Sequence, residues 1–344
     1  MKHLMTLLLV AVARNVWSLG LSVGRNAMRS GLFRRSSARS LARGELKMSE
    51  EVPIRMCTFN ILAPCYNRRR VSPDEDFVME SESPADFMRR NNIILDELER
   101  VDADIICLQE FWCVNAELRA LYTQRLGSDY VMEEVRRSSH WRERDDGLAV
   151  FVRKGRFYVQ DSRDIVFHDC GDRVAKMLLV ACVPGADNDE MTGDAHEAPL
   201  PPQQFIVVNT HLLFPHNEYS TKIRLREVTK ILGFVEGYRQ RELCSSVCSR
   251  TDVRIPVLIA GDFNGTPEGR VHRKLVEQGF TNAYDSITKK KWVSHRSHEQ
   301  REIPVDHIFL SNPSYQGDAD LVNATPVPDW TNLVYNEVYQ RITD

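Results

Sequence analysis

The stretch VLIAGDFN at residues 257–264 joins four apolar residues to Gly-Asp-Phe-Asn. Short apolar runs bounded by turn residues predict buried strands, and α/β folds place functional side chains where such strands end. Three other stretches have the same form: TFNIL at 58–62, IICLQE at 105–110 and VVNTHL at 207–212. We therefore expect one edge of the fold to collect Asn60, Glu110, Asn209, His211, Asp262 and Asn264. Taken singly, each has a second explanation as a cap or turn residue.

Around these stretches the chain alternates strand-like and helix-like segments bounded by Gly, Pro, Asn or Asp. Such alternation predicts an α/β or α+β fold. The middle strands, 147–153, 157–167, 174–183 and 204–213, follow each other with no helix between them. We therefore expect consecutive antiparallel pairing of these four strands within one larger sheet. The acidic, Pro-containing residues 185–203 predict a surface insertion.

The composition is that of a globular protein, since 42% of the 344 residues are apolar and 27% are charged. This profile excludes collagen-like, coiled-coil and membrane-bundle classes. Residues 1–44 contain eight basic residues and no acidic one, so residues 45–344 hold 37 basic and 48 acidic residues. The net negative charge of residues 45–344 argues against a general nucleic-acid-binding surface. A polyanionic substrate would need a local basic patch or a bound cation.

The first 50 residues predict a disordered, basic targeting segment. Within it, residues 1–44 mix Arg and Ser with short apolar runs and contain no acidic residue, which is typical of a mitochondrial or chloroplast transit peptide, so we expect an organellar location. A secretory signal and an unstructured cytoplasmic extension are the alternatives. The apolar run at 4–13 is too short to span a bilayer, and we expect no stable membrane association.

The residue types at the strand ends suit phosphate-ester hydrolysis. Carboxylate and amide oxygens bind Mg²⁺ or Mn²⁺, an aspartate can orient or deprotonate a water, and Asn and His can stabilise charge on a phosphoryl group. Further candidates for substrate binding, three cations and one aromatic ring, flank the strand ends: Arg68, Lys222, Arg224 and Phe214. Their alternative interpretation is as solvated charges and an ordinary aromatic side chain.

Six motifs occur in a characteristic order: FN ending at Asn60, QE ending at Glu110, DGLAVF at 146–151, NTHL at 209–212, GDFN at 261–264 and VDHIF at 305–309. Over residues 52–312 this order resembles the endonuclease/exonuclease/phosphatase superfamily. The stretches MCTFNILAPCY at 56–66 and HLLFPHNEYSTK at 211–222 are most similar to the carbon catabolite repressor type deadenylases and nocturnin. The resemblance implies a four-layer α/β sandwich, with two mixed β-sheets face to face and helices outside.

The resemblance also implies roles for the residues at the strand ends. Glu110 matches the principal ligand of Mg²⁺ (or Mn²⁺), with Asn60 beside it. Asp262 matches the residue that aligns or deprotonates the attacking water, and Asn264 matches a contact to the scissile phosphate or its metal.

Three further residues complete the expected site. His211 and Asn209 would hold phosphate oxygens, and Asp306 would orient another site residue. Superfamily members normally close with a Ser-Asp-His strand, and no such tripeptide follows Asp306. A truncated or alternatively spliced product, substitution by His295 or His298, and a divergent ending with altered activity are the three explanations.

These observations predict a Mg²⁺-dependent phosphodiesterase domain at residues 51–312, followed by a divergent or truncated tail at 313–344. The expected substrate is RNA, cleaved by a poly(A)-specific 3′–5′ exoribonuclease activity, or a nucleotide phosphate. DNA-repair, inositol-phosphate and sphingomyelin-type activities share the fold. A catalytically impaired binding protein on the same fold is the alternative from another class.

Overall fold

A computed structural model describes residues 2–3, 6–12, 52–70, 77–138, 143–167, 169–183, 203–245, 255–284, 294–296 and 302–311. Its strands are β1 Lys2–His3, β2 Thr6–Val12, β3 Val52–Asn60, β4 Arg68–Arg70, β5 Phe77–Met79, β6 Ile105–Phe111, β7 Tyr130–Ser138, β8 Glu143–Arg153, β9 Phe157–Val166, β10 Val174–Cys182, β11 Gln204–His211, β12 Val257–Asp262, β13 Phe280–Asn282, β14 His295–Arg296, β15 Glu302–Ile303 and β16 Asp306–Ser311. Its α-helices are α1 Pro84–Val101, α2 Ala116–Leu126, α3 Ser220–Ser245 and α4 Arg270–Glu277, and a 3₁₀ turn spans Glu80–Glu82.

Two large mixed sheets form the centre of the fold. The five-stranded sheet has the order β2-β3-β6-β8-β7, and the six-stranded sheet has the order β13-β16-β12-β11-β10-β9. In each sheet one pair is parallel, β3 with β6 and β11 with β12, and the other pairs are antiparallel. A parallel pair aligns its two carboxyl ends, which is the arrangement that the strand-end motifs require.

Alternating apolar residues show how the sheets stack. In β6, Ile105 packs between the two sheets, whereas the adjacent Ile106 packs against α1 and α2. In β12, Leu258 packs between the sheets, and Ile259 packs under α3 and α4. Because successive side chains of a strand point to opposite faces, both faces of each sheet are covered. The expected four-layer α/β sandwich is therefore confirmed, with α1 and α2 outside one sheet and α3 and α4 outside the other.

One expected pairing is wrong. The structure pairs β9, β10 and β11 in consecutive antiparallel order, as the sequence predicts. However, β8 lies in the other sheet between β6 and β7. The chain passes from one sheet to the other over residues 154–156, where Gly155 adopts φ +79. Strands buried on both faces have the same apolar pattern in either sheet, so the pattern alone does not assign them.

The leader differs from the expected disordered segment where it is described. Thr6–Val12 pairs antiparallel with Val52–Asn60, and Lys2–His3 pairs with His295–Arg296. The branched, apolar residues at 7–12 suit the open edge of a sheet, which supplies unpaired N–H and C=O groups. The targeting role and the domain boundaries stay predictions. Residues 185–202 of the expected insertion and the tail from 312 onward, as well as His298, lie outside the described residues.

No helix among the described residues is long and apolar enough to cross a membrane.

Candidate active site

Five strand ends deliver the candidate residues to one edge of the sandwich. Asn60 ends β3, and Glu110 lies near the end of the neighbouring parallel strand β6. His211 ends β11 directly opposite Asp262, which ends the parallel strand β12. Asp306 begins β16, and its register partner is also Asp262. Since these strands come from both sheets, only the stacking of the two sheets assembles the cluster.

The Asn60 amide joins the carboxylates of the two sheets. Its Nδ2 donates to Glu110 Oε1 over 3.2 Å and to Asp262 Oδ2 over 3.1 Å. His211 Nε2 lies 3.7 Å from the same oxygen, Asp262 Oδ2. These contacts place Asn60, Glu110, Asp262 and His211 in one cluster, as the sequence predicts.

The backbone of β6 is irregular at Glu110. The pairing of β6 with β8 shifts register between Gln109 and Phe111, and Glu110 there has φ +55. A non-glycine residue in the left-handed region costs about 1–3 kcal/mol and persists where the surrounding structure holds it, often at functional sites. The holding contact is visible, because Ala63 N–H donates to Glu110 Oε2 over 3.2 Å.

A tight turn after β12 presents Asp262. Asn264 N–H donates to Asp262 Oδ1 over 2.8 Å, and Asn264 Nδ2 donates to the Leu212 carbonyl over 2.8 Å. Asn264 thus ties the ends of β11 and β12 together. Gly261 is required in this strand, since a Cβ there would lie 1.9 Å from the Thr210 carbonyl oxygen.

Asn209 has a different environment from the one that phosphate binding would need. It is fully buried, and its Nδ2 donates to the carbonyls of Leu108 at 2.9 Å and Ala149 at 3.0 Å in the other sheet. Its Oδ1 accepts from Gln109 Nε2 at 2.7 Å. The side chain therefore links the two sheets, and the predicted contact with phosphate would require some of these bonds to break.

The four residues expected to bind substrate differ in their exposure and in their contacts. Arg68 and Lys222 are exposed, and Lys222 Nζ lies 5.6 Å from the centre of the Tyr219 ring. Phe214 packs edge-on against His216. Arg224 alone is buried, and its guanidinium donates to the Leu213 carbonyl at 3.1 Å and to Thr221 Oγ1 at 3.0 Å. Arg224 thereby holds the segment that follows His211.

Sequence reasoning missed a second set of charged residues beside the cluster. Asp146 is fully buried, and it accepts from Tyr66 Oη at 2.7 Å and pairs with Arg137 Nη1 at 3.1 Å. Arg173 and Glu227 are also buried charges. Asp146 begins the DGLAVF motif, and this motif could have identified it as a candidate site residue. No sequence motif marks Arg173 or Glu227 in this way.

The buried carboxylates repel one another. Burial raises the pKa of Glu110, the nearby Asp146 raises it further, and the hydrogen bond from Asn60 opposes the change. Burial also raises the pKa of Asp262. The pKa of Asp306 rises well above its usual range, through burial and the charge of Asp262. Clustered carboxylates with raised pKa values are typical of functional sites, and a bound cation would relieve their repulsion.

Fold and cluster together define a class, the two-sheet α/β phosphoesterases. The chain belongs to the endonuclease/exonuclease/phosphatase family, which matches residues 57–330. The family expected from the motif order is thereby confirmed.

Curated relatives agree with this assignment. The chain is 35% identical over 314 residues to an uncharacterized calcium-binding protein of Arabidopsis thaliana, covering 89% of this chain and 59% of that protein. It is 26% identical over 301 residues to the 2′,5′-phosphodiesterase 12 of Bos taurus, covering 84% and 44%. It is 24% identical over 284 residues to the CCR4-Not complex 3′-5′-exoribonuclease subunit Ccr4 of Aspergillus niger, covering 71% and 40%. The chain spans about half the length of these relatives.

Solved structures agree on the fold. The human Nocturnin catalytic domain with bound sulfate anion matches with a TM-score of 0.51 and 19% identity, over 73% of this chain and 79% of that chain. A family member from Bacteroides vulgatus matches with a TM-score of 0.50 and 17% identity, over 75% and 87%. At these identities the likeness concerns the fold alone.

The residues present fit a hard divalent cation. Mg²⁺ keeps several waters and commonly takes one or two carboxylates together with substrate phosphate. In the described part of the chain no three His, Cys, Asp or Glu side chains form a complete cage. Glu110 and the amide oxygen of Asn60 are oxygen donors of the type that a mostly hydrated ion needs; the Asn60 oxygen accepts from Leu62 N–H at 3.0 Å and keeps a second lone pair.

Proposed function

We propose that this chain is a Mg²⁺-dependent (or Mn²⁺-dependent) phosphodiesterase that acts on RNA from the 3′ end or on a nucleotide phosphate. The observation that carries the proposal is the Asn60 amide, which joins Glu110 of one sheet to Asp262 of the other at one edge of the sandwich. The names of the relatives support the substrate class, since they include a 2′,5′-phosphodiesterase and a 3′-5′-exoribonuclease subunit.

Each residue of the cluster has a chemical task in this proposal. Glu110 and Asn60 would hold the metal, which when bound polarises the phosphoryl group and stabilises charge on the leaving oxygen. Asp262 would align the attacking water and accept its proton at Oδ2, and burial raises the pKa of this carboxyl toward that role. His211, 3.7 Å from Asp262 Oδ2, would donate to a phosphate oxygen.

Hydrolysis of a 5′-labelled RNA with an oligo(A) tail, in parallel with a dinucleotide phosphate, tests the proposal in Mg²⁺ and in EDTA. Glu110→Gln should lower turnover on the order of a hundredfold, because an amide is a weaker metal ligand than a carboxylate. Glu117→Gln, at an exposed position of α2, is the matched control and should retain full activity. Turnover that persists in EDTA or in Glu110→Gln contradicts the proposal. Saturable binding without turnover would favour a non-catalytic binding protein.

We also propose an organellar location, based on the basic, acid-free composition of residues 1–44. Imaging the full chain with a C-terminal fluorescent tag tests this, with the leader arginines replaced by glutamine as the control. Uniform cytoplasmic fluorescence of the unsubstituted chain contradicts it.

A further inference from the structure

Arg173 is a buried cation for which the proposed mechanism has no task. It precedes β10, and only 7% of its surface is exposed. Its Nε and Nη1 atoms are buried and donate no hydrogen bond to any described residue. Buried guanidinium groups are normally paired, because removing a charge from water is costly. No residue in the described part of the chain pairs with these two nitrogen atoms.

Two of the carboxylates around Arg173, those of Asp172 and Asp146, are already engaged by other groups. Asp172, directly before it, pairs with Arg137 at 3.2 Å and with Arg144 at 2.6 Å. Both oxygens of Asp146 are also taken, one by Tyr66 and one by Arg137. Within the described ranges, no carboxylate oxygen lies within 4.0 Å of an Arg173 nitrogen. Arg173 therefore adds positive charge that the local ion pairs leave unbalanced.

The charge of Arg173 acts on the candidate active site. Strand register places it there, because Ala175 of β10 pairs with Thr210 of β11, so the residues that begin β10 lie beside the end of β11 at His211. Arg224 acts on Asp262 as well, and both arginines act on the buried Glu227. Two buried arginines thus lie near the carboxylates, one just before β10 and one on α3.

We propose that Arg173 is a substrate-binding residue, which donates a hydrogen bond from Nη2, the guanidinium nitrogen that is not enclosed by the protein, to an oxygen of the phosphate held beside Glu110 and Asp262. Arginine suits this task because its planar donors match phosphate oxygens and because it stays charged. Arg173 would add positive charge next to the carboxylates beside which the phosphate would bind. This inference rests on the proposed function, and it names the positive partner of the phosphate group.

The test measures binding separately from turnover, with inorganic phosphate as the probe. Isothermal titration of the full chain, in EDTA and in Mg²⁺, compares the unsubstituted protein with Arg173→Met and Arg173→Lys. Arg239→Met removes another buried arginine, on α3, whose ion-pair partner is Glu236, and serves as the control. We expect phosphate affinity to fall about tenfold or more in Arg173→Met, to recover in part in Arg173→Lys, and to stay unchanged in Arg239→Met.

A second measurement covers the case in which Arg173→Met fails to fold. In the unsubstituted protein labelled with ¹⁵N-arginine, one side-chain Nε–H signal should shift on phosphate addition, and this signal should be the one missing from Arg173→Lys. Phosphate affinity within twofold of the unsubstituted value in a folded Arg173→Met, or no Nε–H shift, overturns the inference. Phosphate binding that depends on Arg173 without any turnover would retain the inference and reject the proposed function. Turnover of substrate, together with a phosphate affinity that is unchanged in Arg173→Met, would retain the proposed function and reject the inference.

Discussion

At the residue scale, the Asn60 amide separates two carboxylates that would otherwise repel each other, since it donates to both Glu110 and Asp262. Asn60→Asp should replace these bonds with a third negative charge and destabilise the metal-free protein by about 1–3 kcal/mol. A divalent cation should recover much of that loss. We expect Mg²⁺ to raise the melting temperature of Asn60→Asp more than that of the unsubstituted protein. Asn92→Asp, on the surface of α1, is the control, and equal Mg²⁺ responses would contradict the prediction.

Glu227 predicts a pH dependence of stability. Burial raises the pKa of its carboxyl from an ordinary value near 4.5 to about 7. Between these two pH values the folded state therefore holds a proton that the unfolded state has already lost. The contribution of Glu227 to the unfolding free energy is highest below about pH 4.5 and falls until about pH 7, by about 3 kcal/mol in all.

Urea unfolding across this pH range measures the effect, with Glu227→Gln as the comparison. Glutamine has nearly the same shape as glutamate but does not titrate. As the pH rises, the unfolding free energy of the unsubstituted protein should therefore fall relative to that of Glu227→Gln. A difference that stays constant with pH would show that other groups carry the dependence.

At the element scale, the end of β12 depends on Gly261. Its φ is +148, and an added Cβ would meet the Thr210 carbonyl oxygen at 1.9 Å. Gly261→Ala should therefore displace β12 from β11 and cost about 3 kcal/mol or more of unfolding free energy. Gly233→Ala is the matched control, because nothing lies within 4 Å of its added Cβ and α3 gains about 0.5–1 kcal/mol. Equal effects of the two substitutions in urea unfolding would refute this account.

Most strands and helices could be predicted from the sequence, because their apolar periodicity reflects burial of each element against its neighbours. Helix α2 runs from Ala116 to Leu126, and its Asn115 cap, a residue type that favours the start of a helix, accepts from Leu118 N–H at 2.8 Å. The partner of β8 could not be predicted, since its apolar faces suit either sheet.

At the scale of the whole molecule, Asn209 links the sheets through bonds to Leu108, Ala149 and Gln109. Asn209→Ala should remove two hydrogen bonds to buried carbonyls and one from the Gln109 amide, and lower the unfolding free energy by about 3 kcal/mol or more. Asn92→Ala, which loses a bond to the Met88 carbonyl within α1 and a bond from Arg125 Nη1 of α2, should cost about 1–2 kcal/mol. Urea unfolding distinguishes the two, and a loss for Asn209→Ala no larger than the control would argue against a link between the sheets.

The candidate site was predictable in part. Asn60, Glu110, His211 and Asp262 follow apolar runs as polar residues, so the sequence marks them as strand ends, and the structure brings all four together. Arg173 could not be recognised in the same way, because one arginine before a strand resembles any other.

The sequence by itself determined the element order, the apolar faces and the family motifs, because these depend on local periodicity and on residue types at short spacing. Only the tertiary structure decided which polar residues meet. Asn60 and Asp262 are separated by 202 positions in the chain, and stacking of the two sheets brings their side chains to 3.1 Å. The same stacking leaves Arg173 buried without an ion-pair partner among the described residues. Contacts across the sheets depend on three-dimensional packing, which no local pattern encodes.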